Sequence, residues 1–305
     1  MRAGVLAALL LLAGAAGAEE VKSVFAGADP FALADGGKLY VYPTAKGDTL
    51  DAWVRGDDGS WTKRGPLVTL KSLAWVRDDH AVRHFLWAPD MQAANGHYYF
   101  YFSVGPQDPT PSRIGVAVCD TPVGPCADSG KPLLTGGNGF EAIDPMVFVD
   151  PKSGARYLYA GGSNGGKLRV FTLAADMETI EREVPVAQPP AFTEGVFMHE
   201  HGGIYYLSYS HGHWDRSDYS LHYAMAPTPV GPWKYRGVLL ASEGRYKGPG
   251  HHSFVIDPQT SEPLIVYHRW EGKHGDGPYE GDRRTVVQKI AYLPNGEIAP
   301  VHMVD

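Results

Sequence analysis

The sequence predicts an all-β chain folded as a five-bladed β-propeller, with four-stranded antiparallel blades set radially around a central channel. Three observations carry this. Asp29, Asp90, Asp144, Glu194 and His251 recur in turns at intervals of about fifty to sixty residues, and each precedes a strand-like run, at 38–42, 97–103, 156–160, 204–210 and 264–268. A second strand-like run then follows, at 50–55, 113–118, 167–172, 220–224 and 285–292. Two of these second runs lead into nearly the same turn, Thr121-Pro122-Val123-Gly124-Pro125-Cys126 and Thr228-Pro229-Val230-Gly231-Pro232-Trp233, so that Cys126 and Trp233 are equivalent.

Composition agrees with many short strands joined by turns, since the 305 residues include 37 Gly, 24 Pro and 17 Tyr. Helical pattern is scarce: residues 173–183 read as either a helical turn or two or a decorated loop, because no sustained apolar stripe runs through them. No linker divides the chain after its first residues, so 19–305 is expected to be one catalytic domain. Residues 1–18 read as an export signal, with Arg2 at the start, an apolar core from Val5 to Ala13 and a small-residue cleavage site at Ala16-Gly17-Ala18. That core is too short to span a bilayer, and no later apolar stretch replaces it. A secreted or periplasmic protein that is free of the membrane once the signal is removed is expected.

Arg2 is the one charged residue of that signal, and its loss takes the formal net charge from −7 to −8. An acidic surface argues against nucleic acid or an anionic membrane as partner and leaves neutral sugars as candidates. Cys119 and Cys126 are the only cysteines; a disulfide across their turn is compatible with an oxidising compartment but is not required by the sequence. Nothing in their spacing suggests zinc or an iron–sulfur centre.

In a propeller the first strand of each blade lines the axis, so Asp29, Asp144 and Glu194 should converge on a shared cavity despite their separation. Hydrolysis of a glycosidic bond needs a proton donor for the leaving oxygen and a carboxylate that activates water or attacks directly. A third carboxylate can raise the donor's pKa by like-charge repulsion. An isolated Asp-Pro means little, because Asp commonly opens turns; the shared context of three acidic turns is the signal. His199, His201, His211 and His213 lack the spacing of a zinc site. The pairs Gly136-Gly137, Gly161-Gly162 and Gly165-Gly166 lack a phosphate-loop lysine and read as turns.

Ala28-Asp29-Pro30, Trp87-Ala88-Pro89-Asp90, Ile143-Asp144-Pro145, Glu194-Gly195, Gly248-Pro249-Gly250-His251-His252-Ser253 and Arg284-Thr285-Val286 follow one another along essentially the whole mature chain. In order and spacing they resemble glycoside hydrolase family 43, five-bladed propeller enzymes acting largely on arabinose- and xylose-containing polysaccharides. The resemblance implies Asp29 as general base, Glu194 as general acid and Asp144 as the residue that tunes that acid, with inversion at the anomeric carbon. Loss of Asp29 or Glu194 should abolish most turnover, and loss of Asp144 should also shift the acid limb of the pH profile.

By the same resemblance Arg284 lies near the catalytic acids, although Arg283 beside it points the other way in a strand, so that one faces the pocket and the other solvent. His251 points into the channel and holds ordered water or a structural calcium ion with a largely water shell, or serves packing alone; no cofactor is needed for the chemistry. Trp87 and Asp90 line the pocket, as sugar platform and hydroxyl acceptor or as blade packing, and Phe140 is either pocket wall or local packing. The loops at 211–219 and 269–284 shape the cleft mouth. The implied activity is release of terminal α-L-arabinofuranose from arabinan or arabinoxylan-type plant polysaccharides or oligosaccharides, with β-xylosidase or endo-arabinanase as alternatives on the same scaffold. A non-catalytic carbohydrate-binding propeller is a more distant alternative, and oligomeric state is left open.

Overall fold

A computed structural model describes residues 21–163 and 165–303; the signal assigned to 1–18 lies outside them. Strand β1 (Ser23–Ala26) is followed by blade I, with β2 (Ala28–Asp35), β3 (Lys38–Thr44), β4 (Thr49–Arg55) and β5 (Trp61–Thr69). Blade II has β6 (Phe85–Ala94), β7 (His97–Gly105) and β8 (Arg113–Cys119), whose outer edge is shared by β9 (Cys126–Asp128) and β10 (Leu134–Thr135). Blade III is β11 (Met146–Val149), β12 (Arg156–Ala160), β13 (Arg169–Leu173) and β14 (Ile180–Val184). Blade IV is β15 (Glu194–His201), β16 (Ile204–His211), β17 (Ser220–Ala226) and β18 (Lys234–Leu240). Blade V is β19 (Tyr246–Ile256), β20 (Pro263–Glu271) and β21 (Arg284–Lys289), completed by β1 as its outermost strand.

This is the five-bladed propeller that the repeats predict, and all ten expected strand runs form, their ends shifted by at most three residues. Residues 173–183 contain no helix. Asp176 accepts the backbone N–H groups of Glu178 and Thr179, which fixes a turn leading into β14. Cys119 and Cys126 are joined by a disulfide. The two similar turns also serve similar ends: the Tyr42 hydroxyl, from blade I, donates to the carbonyl of Pro122, and the Tyr159 hydroxyl, from blade III, donates to that of Pro229.

Strands β2, β6, β11, β15 and β19 pack on one another around the axis. One position repeats in all five, and the backbone there is left-handed: Asp29 (φ 45°), Ala88 (43°), Asp144 (54°), Gly195 (61°) and His251 (38°). In four blades the pairing with the second strand slips at this point, as a bulge does; in blade III it falls just before β11. A non-glycine residue in this region costs about 1–2 kcal/mol, so the ring holds four strained residues at its centre. Pro follows in three cases, as Pro30, Pro89 and Pro145, where a bulge would otherwise leave an N–H unpaired.

The amide of each kinked residue is tied to the preceding blade. Ala88 donates to Thr44 Oγ1 (2.7 Å), Asp144 to Ser103 Oγ (2.9 Å), His251 to Ser210 Oγ (2.9 Å) and Asp29 to His268 Nδ1 (3.0 Å). Extending the β11–β12 pairing places Gly161 at the corresponding position of blade III, its N–H on the carbonyl of Ile143. Gly161 has φ 122°, and a Cβ there would lie 2.0 Å from the Lys167 carbonyl oxygen, so no side chain can reach across.

Candidate active site

The kinks aim side chains from several blades into one funnel. Asp29, Asp144 and Glu194 are 8%, 5% and 8% exposed, so all three carboxyls are largely stripped of water yet reachable from the open end. Below them the channel is packed by Phe31, Phe197 and Phe254, with ring centroids 6.2 and 5.8 Å apart in sequence around the stack.

Arg283 Nη1 donates to Asp29 Oδ1 at 2.8 Å. Burial, the largest single effect, opposes ionisation of Asp29, but the Arg283 guanidinium, the His251 and His268 rings and the Thr44 hydroxyl together outweigh it and hold this carboxyl well below the ordinary range. Glu194 is treated differently. Ser163 Oγ donates to one of its oxygens and Tyr219 OH to the other, each at 2.8 Å, yet burial, assisted by repulsion from Asp29, prevails and raises its pKa. Asp144 is raised well above the carboxylate range by burial and by repulsion from Glu194 and Asp29. One carboxylate is thereby kept ionised opposite a pair that retains a proton, the separation of roles that acid/base catalysis requires.

The ring of His251 stands between these groups, with Nδ1 3.6 Å from both Asp29 Oδ1 and Asp144 Oδ2, too far for a hydrogen bond. Burial lowers its pKa, so it is a neutral spacer. A single imidazole is not the oxygen cage that calcium prefers. Among the described residues, moreover, no cluster of three or more His, Cys, Asp or Glu side chains could hold a metal. The donor set at His251 therefore does not fit a directly bound calcium ion.

Three expectations are corrected by position. Arg284, the first residue of β21, turns away and its Nε donates to Ser23 Oγ at 3.3 Å, while Arg283, one residue earlier, is the arginine bound to Asp29. Asp90 lies two residues beyond the kink, the place of Phe31, Met146 and Phe197 in other blades, and is fully buried. Its oxygens accept from Gln92 Nε2 (2.8 Å) and the Val147 N–H (2.7 Å), joining β6 to β11; burial pushes its pKa up to about 7. It is a blade-packing residue. Phe140 is 4% exposed and packs with Ile114, Ala142 and Ala160 beneath the Arg169 guanidinium, so it too is packing and not pocket wall.

Trp87 precedes the kink of blade II as Glu194 precedes that of blade IV. It is half-buried, and its indole stacks on Phe85 with centroids 5.3 Å apart and planes 8° from parallel. His199 and His201 lie at the far end of β15, whereas His211 ends β16 and His213 follows it, so the four histidines do not form one site.

Sequence reasoning did not single out Tyr219, Ser163, His268 or Trp214. Tyr219 is fully buried and lies parallel to the His268 ring, 5.8 Å between centroids. That placement needs glycine at 250, where a Cβ would fall 1.9 Å from the Tyr219 ring. Ser163 sits between the two glycine pairs that read as turns, and a hydroxyl inside so permissive a loop was the available clue. Trp214 is 47% exposed, carries the Arg283 guanidinium 4.8 Å above its ring, and walls a cavity of about 390 Å³ with Ala28, Thr44, Trp270 and Arg283. The loops at 211–219 and 269–284 thus do border the funnel.

Known proteins share this architecture. The β-D-galactofuranosidase xynD of Aspergillus niger is 30% identical over 294 residues, covering 90% of this chain and 82% of that protein. The xylosidase/arabinosidase 43A of Humicola insolens is 30% identical over 294 residues, covering 75% of this chain and 84% of its own length. The crystal structure of the GH43_1 enzyme from Xanthomonas citri complexed with xylotriose superposes with a TM-score of 0.72 at 27% identity, over 93% of this chain and 92% of that one. The sequence pattern described as glycosyl hydrolases family 43 matches residues 22–298, the five blades nearly from end to end, and the chain belongs to that family.

Proposed function

We propose that this protein is an inverting glycoside hydrolase that releases terminal α-L-arabinofuranose from arabinan or arabinoxylan-type substrates, exported to act on them outside the cytoplasm. The observation that carries the catalytic reading is the opposite treatment of two carboxyls in one funnel: Arg283 keeps Asp29 ionised, while burial keeps a proton on Glu194. Asp29 takes a proton from a water molecule as the water oxygen bonds to the anomeric carbon. Glu194 gives its proton to the glycosidic oxygen as that bond breaks, and the product leaves with inverted configuration. Asp144 meets neither the water nor the leaving group in this scheme; it shares the proton of the acid and holds the backbone beside it.

The furanose preference is supported by relatives that act, by name, on galactofuranose and on arabinose or xylose. β-D-Galactofuranose and α-L-arabinofuranose share ring configuration and differ in the exocyclic arm, so one pocket can be adapted to either. The xylotriose complex of the Xanthomonas citri enzyme favours β-xylosidase as the second reading.

The test is sugar release by the protein and its Glu194→Gln variant from 4-nitrophenyl α-L-arabinofuranoside, β-D-xyloside and β-D-galactofuranoside, linear arabinan and arabinoxylan, with the first anomer followed by NMR. Arabinose released by the parent alone, first as the inverted anomer, is expected. Xylose would move the assignment to the second reading, arabino-oligosaccharides to endo-arabinanase, and a retained first anomer would overturn the mechanism. Sugar binding without variant-sensitive hydrolysis would leave a carbohydrate-binding propeller. The amino-terminal residue of protein recovered from outside the producing cells tests export, with Glu19 expected.

A further inference from the structure

Between blades I and II the same open face carries a second and larger cleft, of about 1200 Å³. It is lined by Gly47 and Asp48, from the loop between β3 and β4, and by the long connection from β5 to β6, which contributes Lys71, Arg77, Arg83 and His84. Both segments lie at the end of the blades where Asp29 and the kink of β6 stand. Asp48 is the one carboxylate in the lining; the exposed Asp78 does not face it. Asp79, beneath the connection, is already engaged by Arg113 and His84. Lys71, Arg77 and Arg83 are exposed, and no ion pair occupies them among the described residues.

Three free cations in one cleft stand out on a chain whose net charge is −7, and aromatic faces join the cleft to the funnel. The Arg83 guanidinium lies 5.3 Å over the Phe85 ring, and Phe85 in turn stacks on Trp87. Flat aromatic surfaces receive the apolar faces of sugars, and guanidinium forks pair with carboxylates. We propose that this cleft binds a carboxylated sugar, a uronate branch on the polysaccharide whose neutral residue occupies the funnel. The inference rests on the glycosidase reading and narrows its substrate to acidic, uronate-decorated polymers.

The test compares kcat/KM for sugar release from a glucuronate-bearing arabinoxylan with that from the same polymer after chemical reduction of its carboxyls. The parent is expected to prefer the acidic form about fivefold at low salt, less as salt screens the contact. In Lys71→Gln/Arg77→Gln the preference falls to about one, while exposed Lys234→Gln on β18 keeps it. Equal rates on the two polymers by the parent, or an undiminished preference in the double variant, overturn the proposal. If neither polymer is cleaved, the glycosidase reading fails separately, and calorimetric titration of Glu194→Gln with a glucuronate-containing oligosaccharide decides. Binding that the double change removes supports the cleft; binding that it leaves intact, or equal binding of a sulfated oligosaccharide of unrelated structure, overturns it.

Discussion

The carboxylate of Asp144 accepts the backbone N–H of Gly195 at 2.9 Å, the bond that Thr44, Ser103, Ser210 and His268 make to the kinked residue of the following blade elsewhere in the ring. Because Gly161 offers no side chain there, the third carboxylate of the site also serves as the clasp between blades III and IV. It fixes the residue next to Glu194. One side chain thus couples the position of the proposed general acid to its protonation.

Asp144→Asn separates the two roles, since an amide oxygen still accepts from Gly195 while the like charge is gone. Glu194 must be protonated to work, so activity is lost as pH rises and the last proton leaves the pair it forms with Asp144; removing one of two mutually repelling carboxyls lowers the pH at which that proton leaves. The alkaline limb of the kcat/KM profile should move down by about one pH unit, with little change in melting temperature. Asp144→Ala should show the same shift and lose about 1–2 kcal/mol of stability as well. The limb that moves is therefore the alkaline one.

Arg283→Ala should act on the opposite limb. Asp29 must be ionised to work, and its pKa is depressed by Arg283 against the effect of burial. Without the guanidinium that pKa rises, and the acidic limb should move to higher pH with kcat/KM down about a hundredfold at its optimum. Arg284→Ala, which loses a bond to Ser23, should stay within about twofold of the parent. Paired pH–rate profiles would decide which arginine belongs to the site.

Tyr219→Phe removes one of the two hydroxyls that lower the pKa of Glu194. The alkaline limb should move upward, the reverse of Asp144→Asn, and kcat should fall about tenfold as the acid loses a fixed partner. KM should change less, because the phenol touches the acid and not the sugar. Steady-state kinetics across pH separate this from simple misfolding, which would lower the amount of active enzyme without moving either limb.

Asp90→Asn tests the buried acid of blade II by stability. Burial raises the pKa of Asp90 to about 7, so between its unfolded pKa of about 4 and about 7 the native state holds a proton that the unfolded chain has released. The contribution to stability falls by about 1.4 kcal/mol for each pH unit in that window. The variant should match the parent near pH 4 and gain on it steadily up to pH 7, as read by denaturant unfolding at several pH values.

The architecture was legible because a propeller writes its period into the chain: every blade begins with a turn and an apolar run, and two blades end their third strands with nearly the same six residues. The three carboxylates of the candidate site were legible for the same reason, each lying at or beside the repeated kink. What misled was the phase. The structural period passes through Ala88 and Gly195, so aligning the modules on acidic residues put Asp90 in the funnel when its register sends it into the wall. Arg283 and Arg284 differ by one residue, and only the start of β21 decides which turns inward. Tyr219 and Ser163 belong to loops whose path depends on glycine at 250 and at 161, and neither leaves a periodic mark.

The pairing of β1 with β21 sets the order of events during synthesis. Residues 23–26 are made before any of the five blades and have no partner until Arg284 to Val286 arrive, so blade V stays unsealed until the last strand of the propeller is made. A chain cut short before β21 would leave raw backbone along β20 and strip β1 of its one neighbour in the sheet. Conversely, a full-length chain cannot close early around an incomplete set of blades. Strand β1 thus works as a seal applied last, holding blade V closed only once β21 is in place.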